Sequence, residues 1–181
     1  AICAAPLHWS LGLAWPGEID EINILNATFR AMSRAVVTLL ARLERRSRNL
    51  PGSTGLAGLA DRARQCPLYI DGSQPILLPQ WQAACGPDYE LPEQKTLVRG
   101  DSLLPSISAA SILAKTWRDR LMLALDRRYP GYAFAAHKGY GTAAHLAALR
   151  RLGPCPQHRR SFAGVESEAQ SAGTDTQFSL F

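Results

Sequence analysis

With 181 residues, 46% of them hydrophobic, the chain is long enough for one domain with a continuous core, and a single α/β domain is the default expectation. The net charge of +5 is compatible with a polyanionic partner but common on ordinary proteins, so charge alone does not select nucleic acid. The cysteines Cys3, Cys66, Cys85 and Cys155 form no Cys-x-x-Cys pair. Cys155 and His158 imitate half a zinc site without a second half, and a reduced cytoplasmic setting is expected.

The opening stretch from Ala1 to Trp15 is apolar, but it has no basic leader, is broken by Pro6 and His8, and is too short to span a bilayer. It reads as neither signal peptide nor membrane anchor. Its first residue is not Met, as expected of a fragment or an incompletely delimited gene. Residues Leu7 to Ala14 alternate as a strand would, with Pro16-Gly17 ending it. From Glu18, the residues Ile19, Ile22, Leu25, Phe29, Met32, Val36, Leu39 and Leu43 recur at steps of three and four, which predicts one apolar face of a long helix. Glu18, Asp20 and Glu21 in its first turn and Arg42, Arg45 and Arg46 near its end suit the helix dipole.

Asn49 to Gly58 reads as a loop. Leu68-Tyr69-Ile70 predicts a short buried strand ending at Asp71-Gly72. Gln74 to Gln94, interrupted by Pro75, Pro79, Pro87 and Pro92 and carrying Trp81 and Tyr89, reads as a long irregular connection of the kind that often covers a site. Thr96-Leu97-Val98 predicts a second short strand leading to Asp101. Helices are expected from about Ser106 to Arg128 and from Thr142 to Leu152, the latter ended by Gly153. Residues 1–165 form the predicted domain, and residues 166–181 a polar, flexible tail.

Asp71 and Asp101 each follow a short apolar strand, the place where α/β sheets commonly present chemistry. Two converging carboxylates suit a hard divalent cation such as Mg²⁺, and through it phosphodiester hydrolysis. The same pattern also fits an Asp-Gly turn at Asp71 and a loop cap at Asp101. His137, Lys138 and Tyr140 occupy a Gly-punctuated loop before a helix, where an aromatic ring and a cation can meet a sugar-phosphate backbone. Lys115, Arg118 and Arg120 spread around the long helix, and some of them are ordinary solvated charges. Arg159 and Arg160 follow a Gly-Pro-Cys-Pro turn, from which they address phosphates or pair with nearby acids.

Four segments, Arg99-Gly100-Asp101-Ser102, Ala-Lys-Thr-Trp-Arg-Asp-Arg at 114–120, His-Lys-Gly-Tyr-Gly-Thr at 137–142 and His-Arg-Arg-Ser-Phe at 158–162, in this order, closely resemble bacterial ribonuclease HII. His8-Trp9-Ser10-Leu11-Gly12 and the run from Glu18 to Leu25 extend the resemblance upstream, with apparent insertions at residues 45–65 and 74–95. The resemblance implies a ribonuclease H-like α/β fold, a central mixed β-sheet flanked by helices. It further implies Mg²⁺ or Mn²⁺ held by Asp71 and Asp101, and cleavage of RNA/DNA hybrids or of duplex DNA 5′ of an embedded ribonucleotide. It places Tyr140 on the sugar next to the ribonucleotide, and Lys138, Lys115, Arg159 and Arg160 remain the candidate nucleic-acid contacts read from their positions.

The family also carries an Asp-Glu-x-Gly-Arg-Gly segment on its first strand, supplying two more ligands, which has no counterpart here. Asp20-Glu21 does not replace it, because the flanking Ile19 and Asn23-Ile24-Leu25 match the family's helix start. The resemblance therefore implies an N-terminally truncated domain, inactive or nearly so by itself. The competing expectation is a non-catalytic nucleic-acid-binding or clamp-tethered module that keeps the fold.

Gln177-Phe178-Ser179-Leu180-Phe181 resembles the short peptide with which bacterial replication proteins dock on the sliding clamp. Leu180 and Phe181 would fill an apolar pocket and Gln177 would hydrogen-bond at its rim. Deleting residues 177–181 is expected to abolish capture of the chain by purified clamp in a surface-binding measurement. Unchanged capture excludes this peptide as the contact.

Overall fold

The computed structural model describes residues 8–48, 65–87 and 89–161. The tail, with Gln177, Leu180 and Phe181, and the loop at Asn49 to Gly58 lie outside these. The chain divides into two compact units, one comprising residues 1–14 and 24–113, the other residues 15–23 and 114–181.

Helix α1 (Pro16–Arg48), expected to be a single helix, is interrupted at Asn23 (φ 66°, ψ 167°), and its part from Ile24 onward belongs to the first unit. Asn tolerates such a positive φ better than most residues, and the chain passes from one unit to the other at this point. Phe29 from the apolar face is buried with Ile70, Ile76 and Trp81, while Met32, Val36 and Val37 pack around them. Leu25, expected on the same face, is exposed, as is Ile24.

The strand expected over Leu7 to Ala14 is absent over its described residues, 8–14. Hydrogen bonds exchanged with α1 stand where a strand would need a partner ladder. Arg34 Nη1 donates to the Leu13 carbonyl at 2.7 Å, and Ser10 Oγ donates to the Ala35 carbonyl. A Cβ on Gly12 would overlap the Ala31 carbonyl oxygen, so close approach to the helix requires glycine there.

Strand β1 (Leu68–Asp71) pairs in parallel with β2 (Gln94–Leu97), Ile70 opposite Thr96 and Asp71 opposite Leu97. Parallel pairing requires a crossover, and the connection supplies a helix, α2 (Leu78–Cys85), where an irregular stretch was expected. Pro79 sits in the first turn, where its missing N–H costs nothing, so this proline starts the helix. Trp81 is fully buried and its Nε1–H donates to the Tyr89 carbonyl at 2.8 Å. Val98, expected in the second strand, lies beyond β2 and is exposed. The chain continues through α3 (Gly100–Leu103) into α4 (Pro105–Arg128).

In the second unit, α5 (Phe134–His137) and α6 (Ala143–Leu152) follow α4. Thr142 caps α6 through its hydroxyl, which accepts from the His145 amide, and Gly153 ends the helix at φ 70°. Tyr132, Phe134, Ala148 and Leu149 form the core, with Met122, Leu125 and Leu146 packed against it.

The Gln94 side chain pairs with Ile76 as a neighbouring strand would. Its Oε1 accepts from the Ile76 amide and its Nε2 donates to the Ile76 carbonyl, both at 2.8 Å, and Ile76 is 1% exposed. Gln94→Leu strips both partners from a buried peptide group and should lower the unfolding free energy by about 2–4 kcal/mol. Urea denaturation followed by tryptophan fluorescence measures it, and a loss under about 0.5 kcal/mol excludes the role.

Candidate functional site

Asp71 ends β1, and its carboxylate Oδ1 accepts the Gly100 amide at 2.9 Å. This bond holds the end of the strand against the turn that presents Asp101, in the first turn of α3. Asp101 therefore does not stand at the tip of β2 but on a short helix beyond it. Gly100 is buried, and a Cβ there would come within 2.6 Å of Ile107 Cδ1 and 3.5 Å of Asp71 Oδ1. The glycine between Arg99 and Asp101 thus leaves room for the Ile107 side chain packed against the turn. Arg99 takes a left-handed conformation (φ 58°) immediately before it, uncommon for a non-glycine residue and of a kind that clusters at functional sites.

Asp71 is exposed and Asp101 half-buried, so a solvated cation has access to both. The donors are carboxylate oxygens, the set that Mg²⁺ and Mn²⁺ prefer. Among the described residues, no group of three His, Cys, Asp or Glu side chains is gathered that could hold a metal ion. A cleft of about 290 Å³ lined by His8, Trp9, Leu39, Arg42, Leu43 and Arg46 does not include either aspartate.

Asp20 is engaged elsewhere. Its carboxylate accepts the Arg160 amide at 2.8 Å, the Ser161 amide at 3.0 Å and the Ser161 hydroxyl at 2.6 Å. Desolvation pushes its pKa up, but the Ser161 side-chain and backbone bonds, the Arg160 bond and the Arg159 charge together hold it below the usual carboxylate range. It pins the segment carrying Arg159 and Arg160: Arg159 is half-buried, and the Arg160 side chain is exposed.

In the second unit Tyr140 is 63% exposed. The Arg118 guanidinium carbon lies 4.8 Å from the ring centroid, Nη1 donates to the phenol oxygen at 3.4 Å, and Nη2 donates to the Lys138 carbonyl at 3.0 Å. Lys138 is left-handed (φ 51°) and precedes Gly139 (φ 79°), a turn that sets Tyr140 outward. Lys115 is exposed on α4, on the same helix as Arg118. Arg118, read from the sequence as one of several spread charges, is the residue that holds the loop. No local signal marks it, since its partners lie 20 and 22 residues downstream.

Sequence reasoning also missed a buried cluster of His137, His145 and His158, 7%, 7% and 8% exposed. The His137 and His145 rings stack at 4.1 Å, and His145 Nε2 meets His158 Nε2 at 3.1 Å. Cys155 and His158 are joined by a backbone-to-ring hydrogen bond of 3.0 Å from the Cys155 amide to His158 Nδ1. Burial is the largest cause lowering the pKa of His145 and of His158, and neighbouring histidine charge adds to it.

A model of the family described as Ribonuclease HII matches residues 71–165. The chain belongs to the ribonuclease HII family. Curated relatives named Ribonuclease HII include those of Nitratidesulfovibrio vulgaris, 50% identical over 91% of this chain and 64% of the relative, and Oleidesulfovibrio alaskensis, 47% identical over 97% and 61%. That of Syntrophotalea carbinolica is 47% identical over 88% of this chain and 60% of the relative. The chain thus spans about 60% of the length of these ribonuclease HII relatives. Family membership assigns the ribonuclease H-like α/β fold, with which the helices and parallel strand pair agree.

The histidine cluster makes stability depend on pH. An unfolded histidine titrates near 6.5, and with the folded values lowered, the unfolded chain binds more protons between the two. The stabilisation is complete above about pH 6.5 and is lost as the pH falls through the lowered folded values. The melting temperature should drop by a few degrees between about pH 7.5 and about pH 5, and less in a His145→Asn, His158→Gln double variant. An equal drop in the variant excludes the cluster as its source.

Proposed function

We propose that this chain carries the substrate-facing part of a divalent-metal-dependent endonuclease. It would act on the RNA strand of RNA/DNA hybrids and on duplex DNA 5′ of embedded ribonucleotides, leaving a 3′-hydroxyl. The observation that carries this reading is the hydrogen bond from Gly100 to Asp71, which ties a strand-end carboxylate to the turn bearing Asp101. The shared name of the relatives supports the reaction class.

Asp71 and Asp101 would hold Mg²⁺ or Mn²⁺, which when bound supplies Lewis-acid activation of water and charge for the departing oxygen. The chain's own residues do the rest. Gly100 keeps one oxygen of Asp71 engaged and so fixes the carboxylate's orientation. Tyr140, with Arg118 at its ring, offers an exposed aromatic surface for the sugar next to the ribonucleotide, where RNA is told from DNA by its 2′-hydroxyl. Lys138, Lys115, Arg159 and Arg160 address phosphates. Such a substrate places the protein in the cytoplasm with the genome; no helix among the described residues is long and apolar enough to cross a membrane.

A second reading, a non-catalytic module binding the same duplexes, is favoured by the fact that no third metal-binding side chain joins the aspartates among the described residues. A nicking assay on a duplex with one central ribonucleotide, in Mg²⁺ and in Mn²⁺, separates the two. The nuclease reading expects slow cleavage on the 5′ side of the ribonucleotide, reduced at least about tenfold by Asp71→Asn and by Asp101→Asn. Binding without cleavage supports the second reading, and cleavage untouched by both variants removes the aspartates from the site.

A further inference from the structure

The hydrogen bonds that link Cys155, His158 and His145 run in one direction and end on the Tyr140 carbonyl. The Cys155 amide donates to His158 Nδ1 at 3.0 Å, so the neutral His158 ring carries its hydrogen on Nε2. That hydrogen points at His145 Nε2, 3.1 Å away, which must then be the bare nitrogen of its ring. His145 Nδ1–H is left to donate to the Tyr140 carbonyl at 3.0 Å. The opposite assignment, with His158 Nδ1–H on the Cys155 carbonyl at 3.3 Å, would place the bare Nδ1 of His145 against the Tyr140 oxygen, lone pair to lone pair. The tautomers are therefore assigned by the network as a whole.

His137 completes the arrangement. Its Nδ1 accepts the Gly139 amide at 3.1 Å and its Nε2–H donates to the Tyr132 carbonyl at 2.7 Å, while its ring lies flat on that of His145. The residues from Lys138 to Tyr140 are thus held from beneath by two imidazoles and from α4 by Arg118. Nearly all of this grip falls on backbone atoms, which leaves the Tyr140 ring outward and exposed.

We propose that His145, oriented by His158 and His137, is a positioning residue that sets the Tyr140 ring for ribonucleotide recognition. The proposal rests on the reading of Tyr140 as the sugar contact. A ring that must lie flat on one particular sugar loses discrimination when its backbone can shift; the Tyr140 carbonyl is restrained by two donors, the Thr142 amide at 2.8 Å within its own turn and His145 Nδ1–H at 3.0 Å, the only one of the two that a side chain supplies.

The test compares Tyr140→Ala, His145→Ala, His145→Asn and His158→Gln with the unaltered chain. Asn at 145 keeps a donor where Nδ1–H stands. Gln at 158 keeps a donor where Nε2–H stands. Fluorescence anisotropy would measure the preference for a short duplex with one central ribonucleotide over its all-DNA twin. His145→Ala is expected to reduce the preference about fivefold, the scale of one hydrogen bond, and Tyr140→Ala at least as much. Adding His145→Ala to Tyr140→Ala should cost nothing further, and His145→Asn and His158→Gln should retain the preference. In parallel, ring resonances of ¹³C-labelled tyrosine, with Tyr140 assigned by Tyr140→Phe, should shift in His145→Ala and stay in place in His145→Asn. A Tyr140 resonance unmoved by His145→Ala overturns the proposal whether or not the duplex binds. A preference lost in Tyr140→Ala but kept in His145→Ala overturns it as well, while a preference kept in Tyr140→Ala overturns the sugar-contact reading itself.

Discussion

The hydrogen bond between the Gly100 amide and the Asp71 carboxylate is the constraint on which the candidate site depends. Asp71 and Gly100 are 29 residues apart, and the intervening chain must form a parallel crossover to bring them within reach. Each part of that crossover has its own support. Trp81 anchors α2 in the core, Gln94 takes over the peptide group of Ile76, and the β1–β2 register puts Asp71 opposite Leu97 just before the turn. The absence of a side chain at Gly100 then lets Ile107 pack against the turn. A larger residue would meet Ile107 and press on Leu97.

The second unit solves a different problem, presenting an aromatic ring to solvent on a turn that does not drift. Two left-handed positions in succession, Lys138 and Gly139, give the turn its shape but are costly for the lysine. Arg118 and the imidazoles of His137 and His145 offset that cost through backbone hydrogen bonds. The histidines can do so while buried because every ring nitrogen has a partner, and no buried side-chain nitrogen or oxygen among the described residues lacks one. Asp20 plays a similar part for the segment at Arg159 to Ser161, binding its amides from a position 140 residues upstream of Arg160.

Much of the local structure was legible. The strand ending at Asp71, the helix over Pro105–Arg128 and the Thr142-capped helix up to Gly153 follow from apolar periodicity and cap chemistry, which act over a few residues. The misjudged elements share one cause. The alternation over residues 8–14 has a strand's pattern but finds a helix to lie against instead of a neighbouring strand. The prolines between Gln74 and Gln94 suggested irregularity, yet Pro79 starts a helix once Trp81 has a core to enter. Asn23 interrupts a periodic run whose apolar residues gave no sign of a break.

By itself the amino-acid sequence determined the family and singled out the two aspartates and the tyrosine loop as candidates, because these depend on residue type and short spacing. The tertiary structure alone decided that Gly100 orients Asp71, that Arg118 rather than its helical neighbours grips Tyr140, and that Asp20 serves a turn. It alone also showed that three scattered histidines form one network. Those facts depend on hydrogen-bond partners separated by 13 to 141 residues, and direction and distance between such partners exist only after the chain has folded.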